Sequence, residues 1–313
     1  MMEKHELLLE VTKKLASIGP IVRIEATTVL LVGDTHGYPD VSEWALKIAD
    51  EAEADRIVFL GDYVDRGPKG VENIELLAEK MLSDERILLL RGNHESLLMN
   101  SSYGFSDEAV NKRGREYLKV VEEFYRNLPL IGLMDEGIML VHGGIPCRLC
   151  KEEPEDPITV NDIEDTLKKL WGTPELDGPS DQLVTQILWN DPSGAIEWFL
   201  PSPRGPGTYL YGRSAWREFM EKNGLMLIIR AHETVDAVEV WKQDGSLTTK
   251  LRHDETLNLK DLKYSVITVF SSCYHGQGAG ALLLDTHENT ITVLRYPEVL
   301  PRIKKKAKKT GKV

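Results

Sequence analysis

Five times in this sequence a short apolar run stops abruptly in a polar cluster. Residues 29–32 run into Gly33-Asp34-Thr35-His36-Gly37, and residues 57–60 into Gly61-Asp62-Tyr63-Val64-Asp65-Arg66-Gly67. Residues 87–90 run into Arg91-Gly92-Asn93-His94-Glu95, residues 138–141 into His142-Gly143-Gly144, and residues 227–229 into Arg230-Ala231-His232. Continuous apolar runs of this length fit strands buried on both faces. Helical stretches at 41–54 and 70–82 separate the first three runs, so the series reads strand, helix, strand. That series predicts α/β units with parallel pairing. Ligands of such sheets bind beyond the carboxyl ends of the strands. All five clusters lie at those ends, so they are expected to converge on one site.

The rest of the chain fills in around this frame. Residues 3–17 read as an amphipathic helix with Leu7, Leu8, Val11 and Leu15 on one face, stopped by Gly19-Pro20. Residues 151–207 are rich in Pro, Gly and acids, with a helix near 163–170. Apolar or alternating runs at 237–241, 264–270, 281–284 and 290–294 are separated by turn signals such as Asp244-Gly245. They suggest a second, more antiparallel sheet. No linker interrupts the pattern, so residues 1–301 read as one domain and 302–313 as a Lys-rich tail.

Charge narrows the range of functions. The net charge is −12, yet residues 302–313 carry seven basic side chains and no acid, so the body is more acidic still. An acidic body argues against nucleic-acid binding, a nuclease role included. The tail reads as a solvated, disordered end, or as an arm that docks an acidic partner or membrane surface. No apolar run reaches the length of a membrane span, so stable membrane insertion is not expected. The charged N-terminus lacks a signal-peptide core, which fits a cytoplasmic protein. Cys147 and Cys150 have a C-x-x-C spacing, but no second pair completes a zinc site. They read as incidental thiols or a local disulfide.

The clusters hold Asp34, His36, Asp62, Asn93, His142 and His232, a set of oxygen and imidazole donors. Mixed sets of this kind suit Mn, Fe or Zn. Six donors exceed the needs of one ion with open positions, and two ions sharing a bridging carboxylate fit better. A two-metal centre clamps the attacking and leaving oxygens of an in-line displacement. His94, next to Asn93, could face a leaving group, and the Arg66 guanidinium is a natural fork for phosphate oxygens. One such cluster is unremarkable by chance; five in the same strand-end context in one chain are not.

Together the five clusters resemble the motifs of the phosphoprotein phosphatases, a family of calcineurin-like metallophosphoesterases; the resemblance covers about residues 25–285. The length is similar to that of prokaryotic or archaeal members. The resemblance implies an α/β fold with a central β-sandwich of two mixed sheets flanked by helices, and a dinuclear metal site at the strand C-terminal ends. It implies that Asp34 and His36 bind one ion, that Asp62 bridges both, and that Asn93, His142 and His232 bind the second, with Mn the expected activator and Fe or Zn the alternatives. His94 would be the general acid, oriented by Asp65. Arg66, Asn93, Arg204 and Tyr274 would contact the phosphate or substrate. Trp189-Asn190-Asp191-Pro192 is similar to the family's Trp-Ser-Asp-Pro, and Ser271-Ser272-Cys273-Tyr274-His275-Gly276 departs from its Ser-Ala-Pro-Asn-Tyr-Cys. The implied activity is hydrolysis of phosphoserine and phosphothreonine in proteins by direct in-line attack of metal-activated hydroxide. A dinucleoside polyphosphate hydrolase on the same scaffold is the alternative, and those enzymes typically lack the acid found here as Asp65. A scaffold without catalysis would have lost a ligand, and none is missing.

Overall fold

Helix α1 (Lys4–Ala16) opens the computed structural model, which describes residues 4–150, 153–177 and 182–296. Leu7, Leu8, Val11 and Leu15 are buried on one face, as the spacing predicts. After β1 (Ile21–Ile24) comes the predicted series: β2 (Thr28–Val32), α2 (Pro39–Glu51), β3 (Arg56–Phe59), α3 (Gly70–Ser83) and β4 (Ile87–Leu89). β2, β3 and β4 pair in parallel, with Leu30 opposite Ile57 and Ile57 opposite Ile87. Leu30, Val32, Ile57 and Phe59 pack under α1–α3, while Val29, Leu31, Val58 and Leu60 belong to a second core on the opposite face. Both faces of these strands are therefore covered, and each buried aliphatic or aromatic side chain contributes about 1.5–3 kcal/mol. This is why the runs carry no polar alternation.

Three short helices, α4 (Leu97–Tyr103), α5 (Phe105–Arg113) and α6 (Glu116–Arg126), follow β4. They have no counterpart in the sequence reading. β5 (Ile131–Met134) and β6 (Ile138–Val141) form an antiparallel pair, and β7 (Cys147–Cys150) with β8 (Glu153–Pro157) a small hairpin. Cys147 is a free, buried thiol 3.3 Å from Gln186 Oε1. Helix α7 (Val160–Leu170) begins before the anticipated residue 163 because Thr159 caps it, its Oγ1 accepting from Asp162 N. α8 (Gln182–Trp189) leads into a three-stranded sheet of β9 (Asp191–Pro192), β10 (Phe199–Pro201) and β11 (Tyr209–Tyr211). The last part holds α9 (Arg213–Asn223) and strands β12 (Leu227–Arg230), β13 (Val238–Trp241), β14 (Leu247–Thr248), β15 (Thr256–Asn258), β16 (Ser265–Val269), β17 (Gly280–Asp285) and β18 (Thr290–Arg295).

The strands make a sandwich of a seven-stranded sheet, β1-β5-β6-β12-β16-β13-β14, on a six-stranded sheet, β15-β18-β17-β2-β3-β4. Both are mixed, as the resemblance implied. The late strands correct one expectation, since they do not form a sheet of their own. β16 pairs in parallel with β12, β13 lies antiparallel on β16, and β17 lies antiparallel on β2 with Leu282 opposite Leu31. Apolar runs state burial but not partners, and the partners here come from both halves of the chain. The inter-sheet core lies between the sheets, α1–α3 and α6 cover one outer face, and α7–α9 cover the other. A parallel bridge between Asp34 and Phe270 ties the sheets together at the carboxyl ends of β2 and β16. Among the described residues no helix is long and apolar enough to cross a membrane. The Lys-rich tail, 302–313, lies outside the described residues.

Candidate metal centre and active site

The loops leaving β2 and β3 are laced together by backbone hydrogen bonds. Thr35 N and His36 N donate to Asp62 O at 3.1 and 2.9 Å, and Gly37 N donates to Tyr63 O at 2.9 Å. The loops after β3 and β4 cross so closely that a Cβ on Gly61 would stand 2.5 Å from Gly92 Cα. No side chain fits at that crossing. His36, Asp62, Asp65, Arg66 and His232 all hold positive φ, from 42° to 70°. Such conformations in non-glycine residues cost on the order of 1–3 kcal/mol each and persist where the surroundings over-determine them.

Glu95 supplies part of that determination, at Asp62. Its buried carboxylate accepts from Asp62 N at 2.7 Å, Gly92 N at 2.8 Å and Tyr63 N at 2.9 Å. Burial pushes its pKa up to about 7 against the pull of those three donors. Glu95→Gln would set an amide N–H₂ against at least one of those backbone donors. The expected loss is about 1–3 kcal/mol of stability, the cost of leaving a buried donor unsatisfied, read as a lower urea midpoint of the metal-free chain. An unchanged midpoint would mean that the three bonds do not hold the loops.

Six donor side chains meet where the loops converge. His36 Nε2 lies 3.6 Å from Asp62 Oδ2 and 3.8 Å from Asp34 Oδ2. His142 Nε2 lies 3.4 Å from Asp62 Oδ1 and 2.9 Å from Asn93 Oδ1, and His232 Nδ1 lies 2.8 Å from the same Asn93 oxygen. The two Asp62 oxygens thus face different histidines. All six residues are buried.

This arrangement fits divalent cations. His36 Nδ1 donates to Val64 O at 3.0 Å and His142 Nδ1 to Leu60 O at 2.9 Å, which leaves each Nε2 as a lone pair. At His142 that lone pair faces the Asn93 and Asp62 oxygens, an electron-rich meeting that a cation between them resolves. Burial is the chief cause of the raised pKa of Asp34, pushed to about 7, and of Asp62, held well above the carboxylate range. Burial likewise holds His142 and His232 well below the usual imidazole value. Among the described residues neither aspartate has an ion pair with Lys or Arg. Buried carboxylates without a cation are costly unless a metal supplies one.

Beside the donors lies a cleft of about 280 Å³ lined by Arg66, His94, Tyr103, Trp189 and Arg204 among others. His94 Nδ1 is 2.7 Å from Asp65 Oδ2. Asp65 also accepts from Asn100 Nδ2 at 2.8 Å and Phe105 N at 3.0 Å, so its carboxylate is held on several sides. Burial lowers the His94 pKa, the Asp65 charge opposes that shift, and the nearby Arg66 charge adds to it. Arg204 lines the cleft with its Nε bonded to Asp191, which also accepts from Arg230 Nη2 at 2.8 Å. Tyr274 does not line the cleft but stands near it, its ring centroid 6.3 Å from that of His36 and 5.3 Å from Arg66 Cζ.

Several contributors escaped the sequence reading. Glu95 and Asp191 stand inside quoted motifs but bind backbone or arginines, and a motif does not reveal whom a carboxylate faces. Asn100 and Tyr103 lie on α4, whose seven residues carry too little periodicity to be read as a helix. Trp189 packs edge-on against His232, with centroids 5.4 Å apart.

The model of the family described as calcineurin-like phosphoesterase matches residues 27–236. The chain is 32% identical over 249 residues to the serine/threonine-protein phosphatase 4 catalytic subunit of Eremothecium gossypii, covering 78% of this chain and 74% of that protein. It is 31% identical over 244 residues to serine/threonine-protein phosphatase T of Trypanosoma brucei brucei, covering 75% of this chain. The match spans about half of that relative, 49% of its length. A solved protein serine/threonine phosphatase from Saccharomyces cerevisiae, with similarity to human phosphatase PP5, superposes with a TM-score of 0.73 at 23% identity, covering 95% of this chain and 91% of that one. That likeness establishes the fold. The chain belongs to the calcineurin-like phosphoesterases, and within them to the phosphoprotein phosphatase family.

Proposed function

We propose that this protein is a metal-dependent serine/threonine protein phosphatase that hydrolyses phosphomonoesters directly. The observation that carries the reading is a buried six-donor cluster beside an oriented His94–Asp65 pair and Arg66. Asp34, His36 and Asp62 would hold one divalent ion, and Asp62, Asn93, His142 and His232 a second. Manganese is the expected activator, with iron and zinc as alternatives. Bound there, such ions supply Lewis acidity and a water acidified to near-neutral pKa.

The chain's own side chains do the rest. Arg66 binds the phosphoryl oxygens, and Asn93 and Arg204 flank them. A charge-assisted fork on those oxygens strengthens as negative charge builds up on them. His94 delivers a proton from Nε2 to the departing oxygen, while Asp65 keeps the Nδ1 proton in place and favours the imidazolium. Trp189 lines the cleft and Tyr274 stands near Arg66, where it could contact substrate. A serine or threonine alkoxide is a poor leaving group, and proton donation by His94 answers that need.

The dinucleoside polyphosphate alternative has a better leaving group and less need for an oriented acid. The Asp65–His94 contact therefore favours the phosphoprotein reading, and the names of both curated relatives support it. The test is phosphate release by manganese-loaded protein from a phosphothreonine peptide and from diadenosine tetraphosphate at equal concentration. The peptide is expected to be the better substrate. Preference for the dinucleotide would assign the site to the other substrate class.

A further inference from the structure

Arg66 and Arg204 line the same cleft but are held in opposite ways. Arg204 is tied through Nε to Asp191, a carboxylate it shares with Arg230. Arg66 has no carboxylate partner among the described residues. Its neighbour Asp65 is committed to His94, Asn100 and Phe105 N. The Arg66 guanidinium carbon instead lies 4.4 Å from the centroid of the Tyr103 ring, with the Tyr274 ring 5.3 Å away.

The difference matters for a group that must grip a phosphate. A guanidinium presents five N–H donors around its planar edge. A carboxylate partner occupies that edge, whereas an aromatic ring covers the face and leaves the edge open. The ring also attracts the cation without cancelling its charge. The backbone adds a second tie, since Arg66 N donates to Tyr103 O at 3.4 Å, and Arg66 itself sits at φ 64°.

Tyr103 also reaches the proton donor. Its ring stands edge-on to His94, with centroids 5.0 Å apart. It is the last residue of α4, three positions after Asn100, so both side chains leave one face of the helix. Asn100 bonds Asp65 Oδ2 and His94 O, each at 2.8 Å. One helix thus sets the acid pair with one side chain and touches the arginine with another. Tyr103 is 41% exposed, which argues against a purely core role.

We infer that Tyr103 is a positioning residue that holds Arg66 over the cleft as an uncompensated cation, its donor edge free for a phosphoryl group. This rests on the reading of Arg66 as the phosphate-binding arginine. The test compares Tyr103→Leu, Tyr103→Phe, Arg66→Gln and the Tyr103→Leu/Arg66→Gln double variant of the full manganese-loaded chain. The readouts are the inhibition constant of inorganic phosphate, KM and kcat on p-nitrophenyl phosphate, and Tm. Tyr103→Leu is expected to raise the phosphate inhibition constant and KM by roughly 3–30-fold, the range for loss of a cation–π contact, with little change in Tm. Tyr103→Phe should stay within about twofold, because the ring face remains. In the Arg66→Gln background, Tyr103→Leu should add almost nothing. The inference is overturned if Arg66→Gln weakens phosphate binding while Tyr103→Leu does not, or if Tyr103→Phe is as damaging as Tyr103→Leu. A fall in Tm and kcat without a change in phosphate inhibition would overturn it too, by making the role structural. An unchanged inhibition constant in Arg66→Gln would remove the underlying reading of Arg66 as well.

Discussion

His94→Asn is expected to lower turnover of a phosphoserine peptide by about 10²–10⁴-fold, the contribution of a positioned general acid. The geometry behind this number is specific. His94 Nδ1 is fixed 2.7 Å from Asp65 Oδ2, and that carboxylate is itself held by Asn100 and the Phe105 amide. The ring therefore has one orientation, and Nε2 is the atom left to act. An alkoxide leaving group needs that proton, whereas an aryl phosphate has a leaving group stable without it. The loss on p-nitrophenyl phosphate should accordingly be much smaller. Asp65→Asn should reproduce the pattern in milder form, since the ring loses its orienting charge but keeps its donor. Equal losses on both substrates would show that His94 supports the site structurally instead of donating a proton.

The second large effect is expected at Asp62. Its two oxygens face different histidines, at 3.4 Å and 3.6 Å, and Oδ1 accepts from His94 N at 2.8 Å. Asp62→Asn keeps an oxygen for the His94 amide but removes the shared negative charge. Loss of an outer partner of a metal ligand alone costs about 10–100-fold in affinity or activity. Loss of a bridging ligand should exceed that, so activity at fixed manganese is expected to fall by more than about 100-fold. Stability should move the other way. Burial holds the Asp62 carboxyl well above its ordinary pKa, so without metal the aspartate is a costly group to bury. The metal-free variant should melt above the metal-free parent. Wild-type activity and metal content in Asp62→Asn would contradict the bridging role.

How much of this was legible in the sequence depends on what each residue type encodes. The strands β2, β3, β4, β6 and β12 were legible because burial on both faces forces unbroken apolar runs, and the glycine-flanked polar clusters marked their ends. The convergence of Asp34, His36, Asp62, Asn93, His142 and His232 followed from one topological rule about where loops meet. The destination of β13 and of β16–β18 was not legible. An antiparallel strand such as β17 shows its apolar character but not that Leu282 will lie opposite Leu31, some 250 positions earlier in the chain. α4–α6 were missed for a different reason. α4 has seven residues and a single buried one, Asn100, so no hydrophobic stripe betrays it. Yet this helix bears Asn100 and Tyr103, which touch the acid pair and Arg66. Glu95 was visible as a letter in a motif, but its three backbone bonds arise only when the β3 and β4 loops cross. Arg204 and Tyr274 entered by motif similarity. The structure sets the first beside Asp191 and the second near Arg66, contacts that no local pattern states.

The proposed function requires one buried cluster to hold two divalent ions and catalysis to depend on both. The most direct measurement removes all metal from the protein, verifies its absence by elemental analysis, and then follows bound manganese and phosphopeptide hydrolysis together as manganese is added back. The metal-free chain is expected to be inactive, to saturate at two ions per chain, and to gain activity with occupancy of the second. Full activity in the verified metal-free protein, or saturation at a single ion with activity complete, would contradict that requirement.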